Sequence, residues 1–139
     1  MEGTYHHSLD AKGRVFVPAA LRDELGDMFR VTLIRGEEYL TAFPDDTWNR
    51  MTEQIRSLTK GEQKALRSIS ANARRCELDQ QGRILLPKEL RDLAGLRKNI
   101  AVVGNFGCVE FWDDEVWAKS GDADGADEEF LSAYNKLTF

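Results

Sequence analysis

Arg14 and Arg83 each stand four residues after an aspartate, in the same spacing Asp-x-x-Gly-Arg. A guanidinium is a planar, permanently charged fork of donors that fits a phosphate or the edge of a guanine with paired hydrogen bonds. The aspartate of such a segment can accept backbone N–H groups, and the glycine tolerates positive φ. Asp10 with Gly13, and Asp79 with Gly82, therefore predict tight turns that carry an arginine at their exit. Lys12 adds a point charge inside the first turn. The second has Gln80-Gln81, which can hydrogen-bond a base or sugar but carries no charge. Two states stay open for each arginine: presented outward to a polyanion, or tied to its aspartate or across the contact between the two segments. A mixture fits best, with the aspartate fixing the turn and the arginine exposed.

Catalytic constellations are hard to assemble from the other residues. The chain has no Gly-x-Ser-x-Gly, no phosphate-binding glycine loop and no metal-binding pair on a helix. His6 and His7 are adjacent, so on a strand they point to opposite faces and do not share a site. Cys76 and Cys108 lack metal-ligand spacing and make no disulfide framework; both read as ordinary thiols. No enzyme activity, metal, cofactor or small-molecule substrate is expected. Arg22 and Arg91, each followed by aspartate, are expected on solvated helix faces with local ion pairs. Lys64, Arg67, Arg74 and Arg75 form a positive stretch with the same expected role. Trp48 and Trp117 read as core or interface plugs.

The elements that must position the arginines come from an internal repeat. Shifted by 69 positions, Ser8–Pro18 falls on Glu77–Pro87, Leu21-Arg22-Asp23 on Leu90-Arg91-Asp92, Gly26 on Gly95, Asp45 on Asp114 and Trp48 on Trp117, without a gap. Each copy reads as a short strand (Tyr5 to Leu9; Arg75 to Leu78), the turn, and an apolar strand (Val15-Phe16-Val17; Ile84-Leu85-Leu86). Pro18 and Pro87 suit the first position of two-turn helices, Ala19–Leu25 and Lys88–Ala94, which Gly26 and Gly95 stop. Hairpins follow: Arg30–Arg35 with Tyr39–Phe43, turning at Gly36, and Asn99–Gly104 with Cys108–Trp112, turning at Asn105-Phe106-Gly107.

Between the copies, Asp45 and Asp46 are good cap types for an amphipathic helix, Asp46–Leu58. Thr59-Lys60-Gly61 ends it, and a second helix is expected from Glu62 to Ala73. The matching helix after the second copy starts at Asp114 and is cut short by Gly121. Gly121–Asp127 is a small, acidic link expected to be flexible. Phe130, Leu131, Tyr134 and Leu137 predict one or two final helical turns on a partner surface. The expected organisation is repeat one at 5–47, a linking helical hairpin at 48–75, repeat two at 76–119 and an acidic tail at 120–139.

The length, 139 residues, gives each half too little chain for a large core, so halves that share a core are favoured. Residues 110–139 carry −7 of the net −5, leaving +2 on the remainder, so the overall charge does not exclude a local basic face. No apolar run reaches the roughly 20 residues of a membrane span, and the first residues lack the basic and apolar regions of a secretory signal. A reduced, cytosolic protein is expected.

The paired segments Leu-Asp-x-x-Gly-Arg-x-x-x-Pro at 9–18 and 78–87 resemble the two AbrB-like halves of the MraZ family. So do the linker Ala65–Cys76, the opening Gly3–Asp10, and Phe111-Trp112 followed by Trp117, which together cover about residues 3–118. Residues 120–139 add nothing to the likeness. The resemblance implies an α+β, β-rich fold in which two AbrB-like repeats of swapped-hairpin type interleave into a barrel-like core with flanking helices. It implies a bacterial transcriptional regulator of the cytoplasm and nucleoid. Such a protein binds short direct repeats of double-stranded DNA upstream of its own cell-division and cell-wall operon, represses that operon, and works as a ring-shaped homo-oligomer. Carried over residue by residue, the implied DNA contacts are Lys12, Arg14 and Arg83. The alternative is an interaction module on the same fold, antitoxin-like or a scaffold, without specific DNA binding.

Overall fold

A computed structural model describes residues 1–121 and 125–139. The first half contains β1 (Thr4–Ser8), β2 (Arg14–Phe16), α1 (Ala19–Leu25), β3 (Met28–Leu33) and β4 (Tyr39–Pro44). Three helices follow, α2 (Asp45–Arg56), α3 (Lys60–Ala65) and α4 (Arg67–Ala71). The second half repeats the order as β5 (Arg74–Glu77), β6 (Arg83–Leu85), α5 (Lys88–Leu93), β7 (Asn99–Asn105) and β8 (Cys108–Asp113). It is followed by α6 (Asp114–Ala118) and α7 (Glu128–Tyr134). The expected link Gly121–Asp127 falls partly on residues 122–124, which lie outside the described residues.

The fold is α+β and rich in strands. Six strands form one antiparallel sheet in the order β1-β7-β8-β4-β3-β5, and β2 pairs antiparallel with β6. Shifted by one repeat, the six-stranded order reads the same from the other end. The opening strand of each half pairs with a strand of the other half: Tyr5 faces Val102, and Phe29 faces Cys76. β1 and β5 are the two ends of the sheet, and no ladder among the described residues joins them.

One core serves both halves. Val15, Val17, Leu21, Val31 and Leu40 lie in a single buried cluster with their repeat equivalents Ile84, Leu86, Leu90, Ile100 and Val109. The equivalence is not strict. Ala42 and Phe111 occupy matching positions, both fully buried, so the halves fill their shared interior with unequal volumes.

Local chemistry moves several boundaries from their expected places. The first strand of the β3–β4 hairpin starts at Met28, because Met28 and Phe29 extend the ladder to Glu77 and Cys76. Neither Asp45 nor Asp46 caps α2. Pro44 stands at the N-cap with no side-chain cap bond, while Asp45 pairs with Arg30 at 3.0 Å. Pro18 and Pro87 likewise sit one place earlier than expected, at the N-caps of α1 and α5. The helix expected from Glu62 to Ala73 is two shorter ones. Thr59 and Glu62 form a capping box that starts α3, and Leu66, at φ −95° and ψ 2°, interrupts the run before α4. The Thr32 hydroxyl donates to the Ile69 carbonyl at 2.6 Å and ties α4 to β3.

Candidate functional site

The two Asp-x-x-Gly-Arg segments adopt one geometry twice. In the first, Asp10 N–H donates to the Arg14 carbonyl at 2.9 Å, and Gly13 N–H donates to the Asp10 carbonyl at 3.0 Å. The Asp10 carboxylate oxygen Oδ1 accepts the backbone N–H groups of Lys12 and Arg14, both at 2.9 Å. In the second, the corresponding backbone bonds are 2.8 and 3.0 Å, and Asp79 Oδ1 accepts from Gln81 and Arg83, both at 2.9 Å. Each carboxylate thus replaces a stretch of ladder with an Asx turn. The remaining oxygen takes the arginine: Arg14 Nε donates to Asp10 Oδ2 at 2.6 Å, and Arg83 Nε to Asp79 Oδ2 at 3.0 Å. The backbone N–H donated by the arginine is the leading reason that both aspartates titrate below the ordinary carboxylate range.

The turns stand at the two ends of the β2–β6 ribbon, where Arg14 faces Leu85 and Phe16 faces Arg83. Val17 N–H donates to the Gly82 carbonyl at 2.9 Å, and Leu86 N–H to the Gly13 carbonyl at 3.0 Å, extending the pairing at both ends. Val15 and Ile84 point into the core. Alternation puts Arg14, Phe16, Arg83 and Leu85 together on the opposite face. The side chains of Arg14 and Arg83 retain 31% and 21% of their exposure, and Phe16 and Leu85 retain 42% and 55%. Lys12 is exposed on the first turn. The three cations that the sequence singled out are therefore brought to one surface. Each arginine is anchored through Nε to its aspartate and remains partly open. Arg83 also reaches Asp10 Oδ2 at 3.7 Å, a contact with no counterpart from Arg14 to Asp79 among the described residues.

Arg22 and Arg91 are not on solvated helix faces, which corrects the expectation. Both are half-buried. Arg22 Nε donates to the Val17 carbonyl at 2.7 Å, and Arg91 Nε to the Leu86 carbonyl at 2.9 Å. Each guanidinium then crosses to the turn of the other half. A Cβ placed on Gly82 would lie 2.2 Å from Arg22, and one on Gly13 would lie 2.8 Å from Arg91. Gly82 and Gly13 also have φ of +79° and +85°. The positive φ is what favours glycine at both turns, and an added Cβ would in addition make the end of an arginine side chain shift. Their recurrence at the repeat offset marks Arg22 and Arg91 as equivalent, but nothing local marks the crossing. The outward placement of Phe16 and Leu85 was legible, as the period of two in Val15-Phe16-Val17. Lys64 and Arg67 are exposed, whereas Arg74 pairs with Glu89 at 3.0 Å.

Five cations, Lys12, Arg14, Arg22, Arg83 and Arg91, thus gather around a ribbon whose turns contain two carboxylates, Asp10 and Asp79. Such an arrangement can hold an anion but has no nucleophile paired with a base. The histidines stay apart from it in role: His6 Nδ1 lies 2.7 Å from Asp114, and His7 packs its ring 5.8 Å from that of Phe16. Burial pushes the Cys76 thiol up to about 11, and Cys108 likewise to about 11, so neither is an activated thiolate. Among the described residues no group of His, Cys, Asp and Glu is placed to hold a metal. Among them also, no helix is long and apolar enough to cross a membrane.

Comparison with known proteins places this geometry. The family described as "MraZ protein, putative antitoxin-like" matches residues 1–68 and again 69–133. A protein of Carboxydothermus hydrogenoformans named "Transcriptional regulator MraZ" is 44% identical over 119 residues, covering 83% of this chain and 82% of its own length. One of the same name from Lachnoclostridium phytofermentans is 41% identical over 128 residues, covering 91% and 89%. Another from Moorella thermoacetica is 43% identical over 119 residues, covering 83% and 82%. With both repeats matched in turn and relatives spanning nearly the whole fold, the chain belongs to the MraZ family.

Proposed function

We propose that this protein is a sequence-specific DNA-binding transcriptional regulator, and that the β2–β6 ribbon with its two turns is the surface that meets DNA. The name shared by its relatives supports regulation of transcription, a role that needs no catalysis. The observation that carries the DNA reading is the outward face of the ribbon. Arg14 and Arg83 are held there by fixed turns, with Lys12 beside them. A two-stranded ribbon fits the major groove, about 12 Å wide, and arginines on it can reach phosphates or guanine edges. Phe16 and Leu85 offer apolar contact to thymine methyl groups between them.

The finer reading follows the family. The protein represses its own cell-division and cell-wall operon in the cytoplasm and nucleoid, binds short direct repeats, and does so as a ring-shaped homo-oligomer. Its two AbrB-like halves, 5–47 and 76–119, form a swapped-hairpin, barrel-like unit, with 48–75 as the helical link and 120–139 as the acidic tail. Each subunit offers few cations, so linked subunits that meet successive DNA repeats gain affinity through effective concentration. The test is fluorescence anisotropy with a fragment from upstream of the gene and with a scrambled fragment, at several salt concentrations. Preference for the first, with log affinity falling as log salt rises, is the expected result. Equal binding to both fragments overturns specificity, and a flat salt response overturns phosphate contact. The wording "antitoxin-like" in the family description favours a second reading, a protein-interaction module. Recovery of one stable protein partner, with no specific DNA, would decide for it.

A further inference from the structure

The C-terminal helix α7 and the residues after it carry an apolar stripe that stays largely exposed among the described residues. Phe130, Leu131, Tyr134 and Leu137 keep 59, 49, 50 and 58% of their exposure, and the rings of Phe130 and Tyr134 stack at 6.1 Å to make a flat face. Acids lead into it. Asp127 caps the helix through Phe130 N–H at 2.8 Å, and Glu128 and Glu129 follow. Elsewhere a second surface is open and complementary. Between α2 and the α3–α4 pair lies a cleft of about 610 Å³, with Trp48, Met51, Ile55, Leu66 and Ile69 at its base. Its lining includes Arg56, Lys60, Lys64 and Arg67 and no carboxylate. Arg56 pairs with the neighbouring Glu53 at 3.2 Å, while Lys60, Lys64 and Arg67 have no ion pair among the described residues. A second recess of about 440 Å³ shares Met51, Ile55, Leu66 and Ile69 and prolongs the apolar base.

We propose that α7 of one copy of this chain docks in the α2–α4 cleft of a neighbouring copy, with Phe130, Leu131 and Tyr134 on the apolar base and Asp127–Glu129 against the lysine and arginine rim. Sign and polarity match on both counts: an acidic helix start faces a cationic rim, and an aromatic stripe faces an apolar base. The chain's own cleft is not the occupant's seat in this structure. α7 stays exposed, and α6, which precedes it, packs on β7 and β8, whereas α2 and α4 pack on β3 and β4. A tail seated in the next copy is a heterologous contact, which repeats from copy to copy and ends only when a ring closes. The inference rests on the proposed self-association and names its contact.

Mixed cross-linking of full-length protein tests it. One pool carries Met51→Cys, the other Leu131→Cys, and the pools are mixed under mild oxidation beside the wild type with its native thiols. The expected product is a covalent dimer containing one chain of each kind, well above the wild-type background. Lys60→Glu with Lys64→Glu, both at exposed positions, should reduce that yield several-fold, and Glu128→Lys with Glu129→Lys in the partner pool should restore it. An intrachain link formed by the doubly substituted protein at high dilution, without mixed dimer, overturns docking on a second copy. Absence of any link overturns the contact altogether. Light scattering on the wild type separates the two failures: a multimer without the link means another surface joins the copies, and a monomer removes the self-association reading as well.

Discussion

The two arginine turns are alike in backbone and unlike in charge. Asp10–Arg14 and Asp79–Arg83 make the same Asx turn, with each Oδ1 accepting two backbone N–H groups at 2.9 Å. Between those bonds the first turn holds Ala11-Lys12 and the second Gln80-Gln81. The side-chain bonds also differ. Arg14 sits 2.6 Å from its aspartate, and Arg83, 3.0 Å from its own, is shared with Asp10 at 3.7 Å. The turn is therefore a device for placing an arginine, and it is indifferent to what its two middle residues carry. Those positions are free to set how much positive charge each half presents. If the ribbon meets DNA, the first turn contributes two cations and the second one, so a pseudo-symmetric protein would grip its site unevenly.

The largest effect should come from removing what the turns share. Arg14→Ala with Arg83→Ala takes away both guanidinium groups, and losing a bidentate base contact costs about 1–3 kcal/mol each. Affinity for the upstream fragment, measured by anisotropy at fixed salt, should fall by about 1.5 to 4 orders of magnitude per engaged subunit. Either single change should fall between that variant and the wild type. A folded double variant that binds as tightly as the wild type removes the ribbon from the interface.

Next in size is a difference between the glycines. Both need positive φ, which costs a residue with a Cβ about 1–2 kcal/mol. At Gly82 the added carbon would lie 2.2 Å from Arg22, against 2.8 Å from Arg91 at Gly13. Displacing Arg22 also endangers its 2.7 Å bond to the Val17 carbonyl, worth about 1 kcal/mol. Gly82→Ala should therefore lower the urea midpoint more than Gly13→Ala, by about 1 kcal/mol in stability. In an Arg22→Ala background the extra cost at Gly82 should disappear. If it persists, Arg22 is not what makes the two turns unequal.

How much of this was readable in advance depended on the range of the interaction. The turns were legible because Asp, Gly and Arg act within five residues, and the 69-residue offset showed them twice. The helix starting at Ala19 was legible from Pro18 and the apolar spacing. The crossing of Arg22 to Gly82 was not, because it depends on β2 pairing with β6, a contact between residues almost seventy apart. Asp45 misled for a related reason. It is a good cap type, but Arg30 on the neighbouring strand claims its carboxylate. The break at Leu66 had no local marker, since Gln63-Lys64-Ala65-Leu66-Arg67 is all helix-forming sequence.

Acid should act on both turns in the same direction and by a smaller amount. Asp10 and Asp79 titrate below the ordinary range chiefly because Arg14 and Arg83 donate backbone N–H groups to them. Asp113 does so chiefly through the Arg97 side chain, 2.8 Å away. A carboxyl whose folded pKa is depressed contributes stability above its unfolded pKa, roughly 4, and loses it as pH falls through the folded value. The urea midpoint should drop below about pH 4, and it should drop less steeply in Asp10→Asn with Asp79→Asn. An equally steep drop in that variant would assign the acid sensitivity to Asp113 and the other carboxylates.

The smallest effect is the one that separates the turns. Lys12→Gln gives the first turn the charge of the second without touching the Asx bonds, because Lys12 contributes only its backbone N–H to Asp10. If its ammonium neutralises one phosphate, the slope of log affinity against log salt should become shallower by about 0.9 per engaged subunit. Affinity should weaken uniformly across operator sequences, since a phosphate contact reads no base. Gln81→Lys should steepen the slope by a similar amount if the second turn approaches the backbone as the first does. The combined swap then returns the slope to the wild-type value. A swap that leaves the slope shallow means that the two turns stand at different distances from the phosphates, and the repeat symmetry of the protein is broken at the DNA. A slope that no substitution moves takes both middle positions out of contact and leaves the charge difference between the turns with no role in binding.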